Sequence, residues 1–310
     1  MNGWCRGTPG TIPRAVGARA YRDPATRPTG RTRMSLLSRP RRRTVAIALA
    51  TAALLAGGGA AVAATAQPAI HTSTPKHAAS ITNIDVLRQQ IANYYGDPLK
   101  TGVIGKHSNY VKEVHGVEAR AARYLVHAHH AKGKKKAVLL DVDDTALATW
   151  NYEVASNWAY NPTTNAEYVT DQKFPAVPGM VKLVKAAKAH GYAVFFLTGR
   201  GAAQEQATLG NLTTDAVGQN AGYPAPTDPD GTGPEDGLYT KPAQASYPAY
   251  LTSTCGTAAC TTIQYKSATR KHIESLGYDI VANFGDQYSD LKGGAADRTF
   301  KLPNPNYYLP

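Results

Sequence analysis

Acidic residues are nearly missing from the first fifth of this chain, cysteine is scarce throughout, and one long apolar stretch there carries no charge. Of 34 basic and 22 acidic residues, residues 1–66 hold 11 arginines, no lysine and the single acid Asp23. The remaining 244 residues hold 23 bases and 21 acids, close to balance. The net charge of +12 therefore belongs to the N-terminal segment. That excludes a nucleic-acid partner argued from overall basicity.

The charge-free stretch is Thr44 to Ala66, preceded by Arg39 to Arg43 and closing on Ala64-Thr65-Ala66. A basic region, an apolar run and small residues before a cleavage point describe a secretory signal peptide. The rival is an uncleaved anchor, since 23 residues can span a bilayer. Gly57-Gly58-Gly59 and the alanine richness make that a poor stable span, so cleavage is favoured and no stable span remains afterwards. Met34 stands where such a peptide should begin. Residues 1–33, without hydrophobic period, are expected to be disordered and to lie upstream of the true start. A twin-arginine export signal is a minor reading of the arginine triplet, because the residues that usually follow the pair are absent. The expected destination is secreted or extracytoplasmic.

With Cys5 lost with the leader, two cysteines remain, in Cys255-Gly-Thr-Ala-Ala-Cys260. An even pair in an exported protein favours a small-loop disulfide. A metal pair is the weaker reading, since no further cysteine follows and His272 is the only nearby histidine. The disulfide would staple a loop and take no part in chemistry.

What is present is an alternation of elements. Residues 67–82 read as a polar linker and 83–310 as one domain. Ile84 to Tyr95 has helical spacing, with Ile84, Leu87, Ile91 and Tyr94 or Tyr95 on one face. Asn109 to about His129 is a second helix with Tyr110, Val114, Val117, Ala121, Tyr124 and Leu125 inward. Ala137 to Leu140 is a buried strand, Val177 to Lys188 a helix and Tyr192 to Leu197 a strand. Ala202 to Leu212 and Gln264 to Leu276 are helices, and Tyr278 to Phe284 and Arg298 to Leu302 strands. This order predicts an α/β fold: a Rossmann-like three-layer sandwich with a mainly parallel sheet, N-terminal helices and small cap insertions. The insertions are expected at about 150–175 and 220–260, over the sheet edge, where they would shape access.

The chemistry lies at the strand ends. Ala137-Val-Leu-Leu140 runs into Asp141-Val142-Asp143-Asp144-Thr145, and alternation lets Asp141 and Asp143 face one small ligand at the carboxyl edge of the sheet. The next strand ends Thr198-Gly199-Arg200, offering a hydroxyl and free backbone N–H groups to an anion. Lys266 opens a helix and supplies positive charge. Asn283-Phe284-Gly285-Asp286-Gln287-Tyr288-Ser289-Asp290 brings further carboxylates to the same edge. Acid pair, hydroxyl, lysine and acid pair suit a hard cation and a phosphate.

In these four ordered motifs the chain resembles the haloacid dehalogenase superfamily, from about residue 84 to the C-terminus. It is most similar to its exported acid phosphatases, related to bacterial class B enzymes and plant vegetative storage proteins, also in the closing Lys301-Leu-Pro-Asn-Pro-Asn-Tyr-Tyr308. The resemblance implies Asp141 as nucleophile, forming an aspartyl-phosphate. Asp143 would protonate the leaving alcohol and then activate water. It implies Thr198, Gly199 and Lys266 around the phosphoryl oxygens. Mg²⁺ would be held by Asp141, the backbone carbonyl of Asp143 and Asp286, with Asp290 in or near that set. The chemistry agrees: a dianionic phosphate repels a carboxylate nucleophile until a cation and a lysine neutralise it. Aspartate at position 143 favours phosphatase or mutase chemistry over the superfamily's ATPases, which carry threonine there.

Several residues stay open. Lys241 is the fallback for Lys266. Arg200 lines the phosphate pocket or makes a surface pair. Asp144 caps the turn or orients its neighbours rather than binding metal. Trp150, Asn151 and Tyr152 belong to the core or flank a leaving group. His127, His129 and His130 read as solvated rather than as a metal cluster. Asp228 to Asp236 is similar to a calcium loop but has Tyr239 in place of the twelfth-position acid, so a turn-rich loop is favoured.

The expected function is that of an exported Mg²⁺-dependent acid phosphatase acting on a small phosphomonoester. The alternatives are a phosphotransferase or nucleotidase using the same intermediate, and a non-catalytic storage or binding protein; intact Asp141 argues against the last. Oligomeric state and substrate are not legible, because selectivity lives in the insertions.

Overall fold

The computed structural model describes residues 74–213 and 221–309. The expected leader, residues 1–66, and residues 67–73 of the expected linker lie outside the described residues. No helix among the described residues is long and apolar enough to cross a membrane.

Two helices come first. α1 (Ile84–Tyr94) starts at Asn83, whose side chain accepts the Asp85 and Val86 amides. α2 (Asn109–His127) is capped in the same way by Ser108. α2 buries Tyr110, Val111, Val114, Val117, Ala121 and Leu125, nearly the predicted face; Tyr124 is only half-buried. α1 departs from expectation. Ile84 and Leu87 stand 58% and 44% exposed, and the inward packing is left to Ile91, Ala92, half-buried Tyr94 and the following Tyr95. Only its last turn meets the core, where Tyr95 stacks on Trp150 at 4.3 Å.

Five parallel strands follow: β1 (Lys135–Leu140), β2 (Ala193–Gly201), β3 (Leu238–Lys241), β4 (Tyr278–Gly285) and β5 (Arg298–Lys301), in spatial order β3-β2-β1-β4-β5. Alternation gives each face its own core. Val138, Leu140, Val194, Phe196 and Phe284 meet α2 and α5 (Met180–Ala189). Ala137, Leu139, Phe195, Leu197, Tyr278 and Ile280 meet α7 (Ala249–Cys255) and α8 (Thr262–Ser275). Val281 is an extra residue in β4 where the pairing with β1 slips between Ala137 and Val138.

The sheet confirms the expected parallel α/β class. Its least anticipated member is β3, which lies within the 220–260 stretch read as an insertion. Four residues are too few to stand out beside Gly, Pro and Asp, although Leu238 and Thr240 are buried while Tyr239 and Lys241 are half-exposed. The 150–175 stretch forms α3 (Trp150–Ala155) and α4 (Pro162–Thr170), and α6 is Glu205–Leu212. Cys255 and Cys260 are disulfide-bonded with Cα atoms 5.3 Å apart, joining the end of α7 to the approach of α8.

Register sets the site. Leu140 is level with Phe196 on one side and Phe284 on the other. Asp141, Leu197 and Gly285 therefore share the next level, and Thr198 and Asp286 lie one residue beyond. The chain leaves β1 toward β2 and β3, then crosses back to β4, so the crevice beyond β1 and β4 is the switch point where such sheets bind ligands.

Candidate active site

Immediately after β1 the backbone coils back. Ala146 and Leu147 donate to the Val142 carbonyl at 2.9 and 2.8 Å, and Asp144 donates to Leu147 at 2.7 Å. Asp144 holds a φ of +50°, a left-handed conformation that aspartate tolerates better than most residues. Its buried carboxylate accepts the Thr149 amide at 2.9 Å and hydroxyl at 2.6 Å. Asp144 thus caps the turn, as one of its two expected roles required. This leaves Asp141 buried at the strand end and Asp143 facing the cleft, its side chain 32% exposed.

Asp143 is forked by Arg200, whose Nη2 lies 2.6 Å from Oδ1 and Nε 3.1 Å from Oδ2. Arg200 is itself buried, bonded to Thr208 and laid over the Phe174 ring at 5.3 Å. The surface pair considered for Arg200 is corrected to a buried, bidentate one. Thr198 is fully buried and its Oγ1 accepts the Arg200 amide at 3.1 Å, leaving the hydroxyl proton free to donate. Gly199 beside it is exposed, with open space where a Cβ would stand.

Lys266 is the lysine of the site. α8 begins with a reciprocal capping box between Thr261 and Gln264, which fixes its first turn. From there buried Lys266 reaches Asp141 Oδ1 and Asp290 Oδ1, each at 2.5 Å. Lys241, the fallback, instead donates to the Cys260 carbonyl at 3.3 Å.

Asp286 and Asp290 follow β4, where Asp290 belongs to the short helix α9 (Tyr288–Leu291). Asp290 folds back so closely that a Cβ on Gly285 would lie 2.4 Å from its own Cβ, which is why glycine precedes Asp286. Its Oδ2 accepts the Gln287 amide at 2.8 Å. Its carbonyl accepts Arg270 Nη1 at 2.7 Å and Asn283 Nδ2 at 2.9 Å. Arg270, fully buried, also donates to the carbonyls of Gly294 and Lys292 and so fixes the loop after α9.

The carboxylates of Asp141, Asp286 and Asp290 bring oxygens within 4.8 Å of one another. Three carboxylates against one lysine leave excess negative charge, and hard oxygen donors suit a dication such as Mg²⁺. Electrostatics point the same way. Burial, with the charges of Asp290 and Asp143 beside it, pushes Asp141 up to about 7 despite Lys266. Burial and three neighbouring acids hold Asp286 well above its ordinary range, and burial raises Asp144 to about 6. The two carboxylates facing Lys266 hold its pKa above the usual value against the opposing effect of burial.

Asp141 and Asp144 titrate in the folded protein above their unfolded value of about 3.9. Their stabilising contribution is complete below that value and is lost as pH rises through about 6 and about 7. Glu118 and Glu153, raised by burial to about 7 and about 8, act in the same direction. Half-buried His272, with its pKa lowered, opposes them weakly. Melted in EDTA, the protein is expected to lose several degrees between pH 5 and pH 8, and Mg²⁺ to restore more at pH 8 than at pH 5. A melting temperature in EDTA that climbs with pH would contradict this.

Other candidates fall elsewhere. Trp150 and Tyr152 are core, 1% and 2% exposed, with Trp150 donating to Asp97 at 3.0 Å. Asn151 donates to the Lys173 carbonyl. His127, His129 and His130 are exposed. Asp228, Asp230 and Asp236 do draw together, but the Asp228 carboxylate is occupied by the loop's own amides of Gly231 and Gly233, at 2.6 and 2.9 Å.

Sequence reasoning missed the Arg200 fork, Arg270 and the last residues of the chain. Asn304 Nδ2 lies 2.7 Å from Asp286 Oδ2, and Tyr307 hydrogen-bonds Asp144. The similarity of Lys301 to Tyr308 to known relatives was the available signal.

The family described as HAD superfamily, subfamily IIIB (Acid phosphatase), matches residues 60–310. The stem 28 kDa glycoprotein of Glycine max is 30% identical over 180 residues, 56% of this chain and 61% of that protein. Acid phosphatase 1 of Solanum lycopersicum is 29% identical over 217 residues, 69% of this chain and 74% of that protein. This chain therefore matches only about three-fifths of the soybean protein's length. In fold it is similar to the class C acid phosphatase from Bacillus anthracis, with a TM-score of 0.51 at 19% identity over 72% of this chain and 86% of that one.

Proposed function

This chain belongs to the HAD superfamily, subfamily IIIB, the acid phosphatases, and we propose that it is an exported Mg²⁺-dependent phosphomonoesterase working through Asp141. The observation that carries the reading is the meeting of Asp141 and Asp290 on Lys266 at the switch point, with Asp286 closing the acid group.

Asp141, Asp286 and Asp290 are the side chains that would hold the cation. Bound there, Mg²⁺ would neutralise part of the phosphate's charge and polarise its oxygens. Lys266 would add the nearest positive charge, and the Thr198 hydroxyl with the amides beside Gly199 would receive phosphoryl oxygens. Asp141 would then attack phosphorus, forming the aspartyl-phosphate as the ester P–O bond breaks. Asp143 would give its proton to the departing alkoxide, and afterwards take one from the water that splits the acyl phosphate. Partial exposure lets an ester oxygen in the cleft compete with Arg200 for the Asp143 carboxyl.

The substrate would be a small phosphomonoester. Residues 34–66 would direct export, with cleavage after Ala66, and the Cys255–Cys260 bond suits an oxidising compartment. Sequencing the N-terminus of the exported protein tests that part.

The enzymatic test is hydrolysis of p-nitrophenyl phosphate with Mg²⁺ and with EDTA, repeated with excess acceptor alcohol. Turnover that needs metal and releases inorganic phosphate supports the proposal. Phosphate appearing mainly on the alcohol would make the protein a phosphotransferase, and full turnover in EDTA would refute the metal reading.

A further inference from the structure

The closing segment has no role in the chemistry above, yet it is bound to the centre at several points. Leu302 continues from β5, donating to the Gly285 carbonyl at 2.9 Å. The chain then turns, with the Asn306 amide on Asn304 Oδ1 at 2.8 Å. That turn aims Asn304 Nδ2 at Asp286 Oδ2, 2.7 Å away, and toward Asp144 Oδ2 at 3.4 Å. Gln287 Nε2 also donates to Asp286 Oδ2, at 2.6 Å, and its Oε1 receives the Leu309 amide at 2.9 Å. Among the described residues, Asp286 Oδ1 has only the Thr145 hydroxyl, at 3.3 Å. One oxygen of Asp286 is thus taken by two amide donors and the other is left the freer to meet a cation.

We infer that the C-terminal tail, residues 302–309, is a working part of the cation centre, in which Asn304 is a positioning residue. It turns Asp286 toward the metal and ties the acid after β4 to the turn after β1. The inference rests on the metal reading of the preceding subsection. Groups that orient a metal ligand in this way are worth about 10- to 100-fold in affinity.

A contrast within the tail separates positioning from mere fastening. Asn306 holds the same segment through Tyr95 (3.0 Å) and Trp158 (3.2 Å) and touches no acid. The experiment is calorimetric titration of Mg²⁺ into wild type, Asn304→Ala and Asn306→Ala, with melting temperatures in EDTA recorded beside it. Asn304→Ala is expected to bind Mg²⁺ about 10- to 100-fold more weakly while melting in EDTA near wild type. Asn306→Ala is expected to melt lower and bind Mg²⁺ as wild type does. Should Asn304→Ala not fold, Asn304→Gln keeps the amide but displaces it, and weakened binding there reads the same position. Wild-type affinity in the Asn304 variants would overturn the inference, as would an equal loss in Asn306→Ala. A wild-type protein that takes up no Mg²⁺ would instead overturn the metal reading, and this inference with it.

Discussion

Asp141→Asn is expected to lower turnover of p-nitrophenyl phosphate on the order of 10⁴- to 10⁶-fold, the scale on which hydrolases lose a nucleophile or its base. Asparagine keeps the shape but has no oxyanion to attack phosphorus, and none of the other carboxylates in the group occupies the same strand end. The melting temperature shows whether this is lost chemistry or lost fold. Asp141 titrates near 7 because burial and two neighbouring acids disfavour its charge. At pH 8 without metal the wild type bears the cost of ionising it, and the asparagine variant does not. The variant is therefore expected to melt no lower than wild type in EDTA at pH 8, and any gain to vanish near pH 5, where Asp141 is protonated anyway. Retention of more than about a tenth of wild-type turnover would remove Asp141 from the nucleophile's role.

That prediction was within reach of the sequence because the site is built at strand ends. An apolar run stopping in Asp141-Val-Asp143, and another stopping in Thr198-Gly199, mark a parallel sheet and its carboxyl edge together. Lys266 could be placed only by the resemblance, since a lysine near the start of a helix has no local pattern of its own. Where the sequence misled, the deciding interaction lay far along the chain. The spacing of Ile84 and Leu87 marks a face, but whether anything covers that face depends on where the core ends. Arg200 and Asp143 are 57 positions apart and Asn304 and Asp286 are 18, and no periodicity connects them. β3 was missed for the opposite reason: four residues are too short for an alternation to be distinguished from loop.

Lys266 joins catalysis to stability, so replacing it should disturb both. In Lys266→Met, Asp141 and Asp290 lose the buried ammonium now 2.5 Å from each. Breaking a buried pair from one side typically costs about 3–5 kcal/mol. For a domain of this size that corresponds to roughly 10 °C in melting temperature. The loss should be larger in EDTA at pH 8, where the wild-type Asp141 is ionised against Lys266, than at pH 5, where Asp141 is protonated. Mg²⁺ should recover part of it by supplying the missing positive charge. Turnover is expected to fall about 10³-fold, the loss of one electrostatic contact to a developing charge in a buried site. The pH profile identifies the cause. Lys266 is the strongest influence holding Asp141 down, so without it the nucleophile ionises at higher pH and the acid limb of kcat/KM moves to the alkaline side. Lys241 bonds the Cys260 carbonyl and makes no ion pair with Asp141, so it does not stand in for Lys266. A variant that merely melts early, with an unmoved acid limb and near-normal turnover at 20 °C, would leave Lys266 a structural cation and require another source for the charge that offsets the phosphate's.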